Sequence, residues 1–221
     1  VVKDTRWVDM QDMTTNHAVV IPTSSRDWAP VPLFIYTRAG RKIITVDDLN
    51  ADSSDNLWKL FGWYISEGHT TSHGTIFTLN INETEYANEI CRIAESFGLG
   101  ASQFVYKPDS VRRVTISSRG LSQFLGAHFG RKAPNKRIPG WVFAANKDRV
   151  NSMMLAYFKG DGYFVVGNYH PLGYSKAVTT SRQLAYGVRF LASKLDGVVS
   201  VSKPRKPTTS EIKGRTIYGR H

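Results

Sequence analysis

This chain of 221 residues holds a single cysteine, Cys91, and only 18 acidic side chains against 29 lysines and arginines. One cysteine excludes an internal disulfide and a cysteine-rich zinc site, and it suits a reducing setting. The histidines His69, His73, His128 and His170 lack zinc-ligand spacing. No apolar run reaches the roughly 18 residues that a membrane helix requires, and no signal-peptide pattern opens the chain. We therefore expect an intracellular protein of cytoplasm or nucleoid without membrane association. The chain begins with Val1, which suits a processed product or a fragment. Its 41% hydrophobic and 12% aromatic content excludes a disordered segment and is enough for a real core.

The shortage of acids is uneven. Residues 1–56 carry six basic and eight acidic side chains. Residues 107–149 carry ten basic and two acidic ones, and residues 197–221 carry six basic residues and Glu211. Two separated basic blocks imply a polyanionic partner.

Two stretches of the chain repeat one another. Leu60–Gly68 reads LFGWYISEG and Met154–Gly162 reads MLAYFKGDG. Each is an apolar helical run with small residues four apart, Gly62 and Ser66 in the first, Ala156 and Gly160 in the second. Small residues at i and i+4 form a stripe along which two helix backbones can approach closely. Each run ends on an acid followed by glycine: Glu67-Gly68 and Asp161-Gly162. A carboxylate is unfavourable at the negative end of a helix dipole, and a divalent cation would offset that cost.

The surrounding pattern also recurs. Residues 1–50 read as strands and turns, with Ala18–Ile21 and Leu33–Tyr36 β-rich and Ala39-Gly40 a hairpin turn leading into Lys42–Val46. The polar stretch 50–56 predicts a boundary and an N-cap, with the first motif helix starting at Leu57. Alternation over Thr75–Asn82 predicts a strand, with Phe77, Leu79 and Ile81 on one face. Helical spacing follows over 83–97, ending at Gly98, then strands near 103–107 and 111–117 and a helix over 119–128. After Asp161 we expect strands at 163–168 and 174–180, a helix from Ser181 to Leu195, and strands near 198–203 and 213–218. The fold class is α+β: a pseudo-two-fold pair of αββαββ(α) units, residues 57–150 and 151–221, behind a β-rich segment 1–56.

With these motifs the sequence resembles the LAGLIDADG homing endonucleases of the single-chain, two-motif type. Gly62 and Ala156 fall at the first small position of the motif, Ser66 and Gly160 at the second, and Glu67 and Asp161 at the acid. The resemblance implies two antiparallel, saddle-shaped sheets along double-stranded DNA, motif helices packed at the centre, and a monomer. It implies Mg²⁺, replaceable by Mn²⁺ or Ca²⁺, at Glu67, Asp161, Gly68 and Gly162, and a double-strand break with 3′ overhangs. Lys136-Arg137-Ile138-Pro139 matches the Lys-x-Ile-Pro of intein-borne members, which puts Lys136 in the role of basic catalytic group. No such segment follows Asp161; Lys203, Lys206 or Lys213 could substitute. Base and phosphate contacts are expected from Thr78, Asn80, Asn82, Arg113, Thr115 and Ser117 in the first half, and from Lys176, Thr180, Lys213 and Arg215 in the second.

The segment Thr14-Thr15-Asn16-His17, with Thr45–Leu49, resembles the splicing blocks of inteins. The terminal residues, Val1 and Arg220-His221, argue against self-splicing. Two other readings use the same residues: a maturase or regulator that binds nucleic acid without cutting it, and a fragment of a splicing intein.

Overall fold

The computed structural model describes residues 32–37, 40–45, 51–167, 170–202, 209–212 and 215–218. The Thr14–His17 block, the Ala18–Ile21 strand, Lys203, Lys206 and Lys213 lie outside the described residues. The chain is a mixed α+β protein with antiparallel sheets and five α-helices among the described residues.

Strands β1 (Pro32–Thr37) and β2 (Gly40–Thr45) pair antiparallel with Thr37 opposite Gly40, as the hairpin reading anticipated. Helix α1 (Ala51–Glu67) then leads directly into β3 (Gly68–Thr70) and β4 (Thr75–Asn80). Helix α2 (Thr84–Ser96), β5 (Ala101–Tyr106), β6 (Val111–Ile116) and α3 (Arg119–His128) complete the first unit. A loop with two short 3-10 turns reaches α4 (Lys147–Asp161), which runs directly into β7 (Gly162–Gly167). Strand β8 (His170–Ala177), α5 (Arg182–Lys194), β9 (Thr209–Ile212) and β10 (Arg215–Tyr218) follow.

Helix α1 starts six residues earlier than the polar composition of 50–56 suggested. Tertiary contacts override the turn-forming residues there. Ser54 is buried, and Asp55 pairs with Lys59 one turn on at 3.0 Å while accepting the Ser152 hydroxyl from α4. Acids in a first turn also favour the helix dipole.

From Leu57 to Ile65 helix α1 is buried on every side except at Lys59, which is the mark of a central helix. Leu57, Trp58, Leu60, Phe61, Trp63 and Tyr64 are all buried. Side chains of this size contribute about 1.5–3 kcal/mol each on burial, so packing and not helix propensity holds α1. Phe61 lies against Phe129 and Trp141 at ring separations of 4.8 and 5.7 Å, tying α1 to α3 and the inter-unit loop. Trp63 meets Tyr86 of α2 at 5.1 Å.

The first sheet has strand order β3-β4-β6-β5, with every pair antiparallel. Its inner face buries Phe77, Leu79, Val114 and Ile116, whereas Ile81, expected on the same face as Phe77 and Leu79, lies in the turn after β4. Capping follows the sequence: Ser118 and Ser181 accept from Leu121 and Leu184 at the starts of α3 and α5, and Gly98 ends α2 with φ of 68°.

The second unit departs from the expectation of a matching sheet. Strands β7 and β8 pair with an irregularity between Val165 and Gly167, and β9–β10 is a separate two-stranded ladder. The strand expected over 198–203 is absent at Val198–Ser202, which are irregular. The following Lys203-Pro204-Arg205-Lys206-Pro207 supplies a reason, because prolines remove ladder donors and clustered charge opposes pairing.

Candidate active site and nucleic-acid face

The apolar runs place α1 and α4 side by side in parallel, and the small residues set how close they come. A Cβ at Gly62 would lie 2.8 Å from the Ala156 Cβ and 2.9 Å from the Tyr157 backbone nitrogen, and closer still to the Met153 carbonyl. A Cβ at Gly160 would lie 2.7 Å from the Ser66 Cβ and 3.2 Å from the Glu67 Cγ. The Ser66 hydroxyl bonds back to the carbonyls of Gly62 and Trp63 at 3.3 and 3.2 Å, which keeps it flat on its own helix. The structure thus brings Gly62, Ser66, Ala156 and Gly160 together at one crossing.

Both helices end on their acid and turn at once into a strand. The glycine after each acid is needed for that turn. A Cβ at Gly68 would lie 2.7 Å from the Tyr64 Cα, and one at Gly162 would lie 2.9 Å from the Phe158 Cα. The two copies therefore fold back on the residue four positions earlier in the same way.

Glu67 and Asp161 sit half-buried at this shared end. Burial, then the charge of Asp161, then that of Glu83, lift the Glu67 carboxyl to about 7, against a counter-pull from Lys136. Burial lifts Asp161 to about 6, again against Lys136. Tyr157 is pushed above the usual phenol range by burial and by the Asp161 charge. Lys136 offsets only part of the upward shift of Glu67 and Asp161, so the two carboxylates would gain from a divalent cation. They provide fewer oxygens than Mg²⁺ or Ca²⁺ takes, so water and phosphate oxygens would complete the shell. Among the described residues no group of three or more His, Cys, Asp or Glu is clustered as a metal site.

Lys136 is buried, with 4% of its surface exposed. Its ammonium donates to the carbonyls of Tyr64 and Gly68, the latter at 2.8 Å, and lies 3.3 Å from the centre of the Tyr64 ring. It thus joins the last turn of α1, through Tyr64, to the first residue of β3, Gly68. Burial lowers it to about 7, while Asp161 and Glu67 pull upward. Its own carbonyl accepts from the buried Ser181 hydroxyl at 2.5 Å, so this one residue links α1 to the start of α5. The Gly68 carbonyl, expected near a metal, is engaged by Lys136.

The outer face of the first sheet carries the expected polar residues. Thr78 stands opposite Arg113, and Thr115 opposite Ile76. Asn80 and Arg113 are exposed, and Thr78 and Thr115 partly so. Asn82 and Ser117 are exposed just beyond strand ends, where Ser117 donates its N–H to Gly100. The sequence reading missed Phe104 and Tyr106, which share this face and are 64% and 46% exposed. Alternation over Ser102, Phe104 and Tyr106 was the available signal. In the second unit Lys176 stands opposite Tyr163 on the β7–β8 pair, with its ammonium 5.9 Å from that ring. Thr180 is exposed three residues after β8 ends, and Arg215 opens β10.

No known protein-family model matches the chain. It is 32% identical over 113 residues to a DNA polymerase II large subunit of Thermococcus kodakarensis, matching 48% of this chain and 6% of that protein. It is 27% identical over 173 residues to a subunit of the A-type ATP synthase of Pyrococcus abyssi, 76% of this chain and 16% of that protein. It is 31% identical over 103 residues to the RNA polymerase subunit Rpo1C of Methanocaldococcus jannaschii, 46% of this chain and 12% of that protein. The chain thus spans only a small part of each of these relatives.

Proposed function

We propose that this protein is a site-specific DNA endonuclease of the LAGLIDADG homing type, which hydrolyses both strands of a long duplex target. The observation that carries this reading is the crossing of α1 and α4, which gathers Glu67 and Asp161 at one half-buried end with raised proton affinity. The two units, each ordered αββαββ with an added helix in the first, would be related by a pseudo-two-fold axis through this crossing.

The relatives support the reading by their diversity. A DNA polymerase subunit, an ATP synthase subunit and an RNA polymerase subunit are differently named proteins, yet each resembles this chain over a piece that is small against its own length. A mobile insert carried in unrelated hosts gives that pattern. The net charge of +11 and the polar outer sheet face with Arg113 suit a duplex partner.

In this mechanism Glu67 and Asp161, once ionised, would hold Mg²⁺. Bound there, the metal would supply Lewis-acid charge and a water of lowered pKa. Lys136 fixes the turn that carries Glu67 and moderates the charge of both acids. The sheet face holds the duplex in register.

The test is a plasmid carrying a target selected from a random duplex library. With Mg²⁺ the protein linearises it and leaves 3′ overhangs. Tight duplex binding without cleavage under any divalent metal would instead establish a binding protein on the same scaffold.

A further inference from the structure

A second basic feature lies on the far side of the Lys136 segment. An open cleft of about 570 Å³ is bordered by Arg131, Asn135, Arg137, Arg182 and Gln183. Among the described residues no carboxylate forms an ion pair with any of the three arginines.

The arginines are held by the local fold. Gly126, inside α3, costs helix stability relative to alanine, but a Cβ there would sit 2.6 Å from the Arg131 Nε and 3.2 Å from its Cγ. The missing side chain makes room for the Arg131 stem. Gly130 takes φ of 86°, and a Cβ there would strike the Asn135 carbonyl, so the loop closes tightly beneath the cleft. Arg137 donates to the Ala127 carbonyl, and the Arg182 guanidinium lies 5.7 Å from the Tyr186 ring.

Three guanidinium groups around one concavity repel each other unless an anion joins them, and their planar forks suit phosphate oxygens. The positive end of α5, which supplies Arg182 and Gln183, adds to the same field. Location decides which anion. Ala177 pairs with Gly162, the neighbour of Asp161, and Arg182 follows five residues later, at most about 18 Å of chain. Asn135 and Arg137 flank Lys136, which touches the end of α1.

The geometry points to this cleft as a seat for a phosphodiester group of the bound duplex, a backbone grip beside the cutting site and separate from the sheet faces. This inference rests on the endonuclease reading for its partner, and the test separates the two. Duplex affinity is measured across about 50–200 mM salt, with Ca²⁺ in place of Mg²⁺, for the wild type, Arg131→Gln, Arg182→Gln and the double variant. Each lost phosphate contact should weaken binding to any sequence and reduce the slope of log K against log salt by about 0.9. Arg92→Gln, which removes one charge from the exposed side of α2, serves as the control and should leave the slope at the wild-type value. Should Arg131→Gln fold poorly, Arg182→Gln alone decides.

An unchanged slope in the double variant overturns the cleft, as does an equal loss in Arg92→Gln. Orthophosphate is titrated in parallel, with melting temperature as the readout. Stabilisation of wild type but not of the double variant, with the DNA slope unchanged, also overturns the duplex assignment in favour of a small free anion. A shallower slope in a protein that never cuts keeps the cleft and removes the endonuclease reading.

Discussion

The parallel pair of α1 and α4 has two ends, and its acids fare differently at each. At the N-terminal end Asp55 meets the Ser152 hydroxyl and Lys59. Burial would raise its carboxyl, but these partners hold it below the usual carboxylate range. At the C-terminal end Glu67 and Asp161 stand against unfavourable helix dipoles and are pushed up to about 7 and 6. One carboxylate stabilises the helix pair; the other two strain it. Groups left strained in a fold that satisfies a similar group nearby are where function is to be sought.

Neutralising each acid should have the largest effect. Glu67→Gln or Asp161→Asn should lower plasmid cleavage by about 10²–10⁴-fold, since a metal site supplies several kcal/mol to the transition state. Each should leave duplex binding largely intact and raise the stability of the free protein, by about 1–2 kcal/mol for Glu67→Gln. Asp55→Asn should do the reverse: a loss of up to about 1 kcal/mol with cleavage retained. Urea titrations beside a cleavage assay check all three. Robust cutting by the Glu67→Gln/Asp161→Asn double variant would sink the assignment.

Next in size is the spacing of the helices. Gly62→Ala should cost about 1–3 kcal/mol or more, because the new methyl meets backbone that cannot move aside. Gly160→Ala meets the Ser66 side chain instead, so Ser66→Gly should restore much of its loss and none of the Gly62→Ala loss. A double-mutant cycle on denaturation midpoints separates the two cases.

The pH dependence of the carboxylates has opposite signs at the two ends. Glu67 ionises near 7 in the fold against 4.5 ordinarily, so the native state binds the extra proton between those values. Stability from Glu67 therefore falls as pH rises from about 4.5 to 7. Lys136 loses its proton near 7 against 10.5, so stability rises from about 7 to 10.5. Asp55 contributes above 3.8 and is lost as pH falls through its lowered value. Melting temperature against pH should dip near neutrality, and the falling limb should vanish in Glu67→Gln/Asp161→Asn.

The smallest effect concerns metal without DNA. Millimolar Ca²⁺ should raise the melting temperature of wild type by a degree or so, about 0.5 kcal/mol for a half-made shell. The shift should be greater at pH 8 than at pH 6, where protons compete, and absent from the double variant.

A comparison of the two units is equally instructive. Tyr64 donates its hydroxyl to the Gly130 carbonyl at 2.7 Å and carries Lys136 on its ring. Its counterpart Phe158 has no hydroxyl. One oxygen thus marks the unit that anchors the inter-unit loop, and only that unit has the Lys-x-Ile-Pro segment.

Much was legible locally. The register of Gly62, Ser66, Ala156 and Gly160, the acid-glycine ends and the alternation of Phe77 with Leu79 depend on residues within a turn or two. The early start of α1 was not, because Ser54 and Asp55 read as turn formers until α4 supplies Ser152 and a buried contact. Phe104 and Tyr106 were missed because only the sheet register places them on the face of Arg113.

Which helices could cross closely, where each would end, and that an acid would stand at each end follow from side-chain size and spacing, which act along a single helix. Only the tertiary structure decided that Lys136 is buried beneath α1, that three arginines share a cleft, and that the second unit holds two small ladders. Those outcomes depend on which distant surfaces exclude water from which charges, and spacing along the chain carries no record of that.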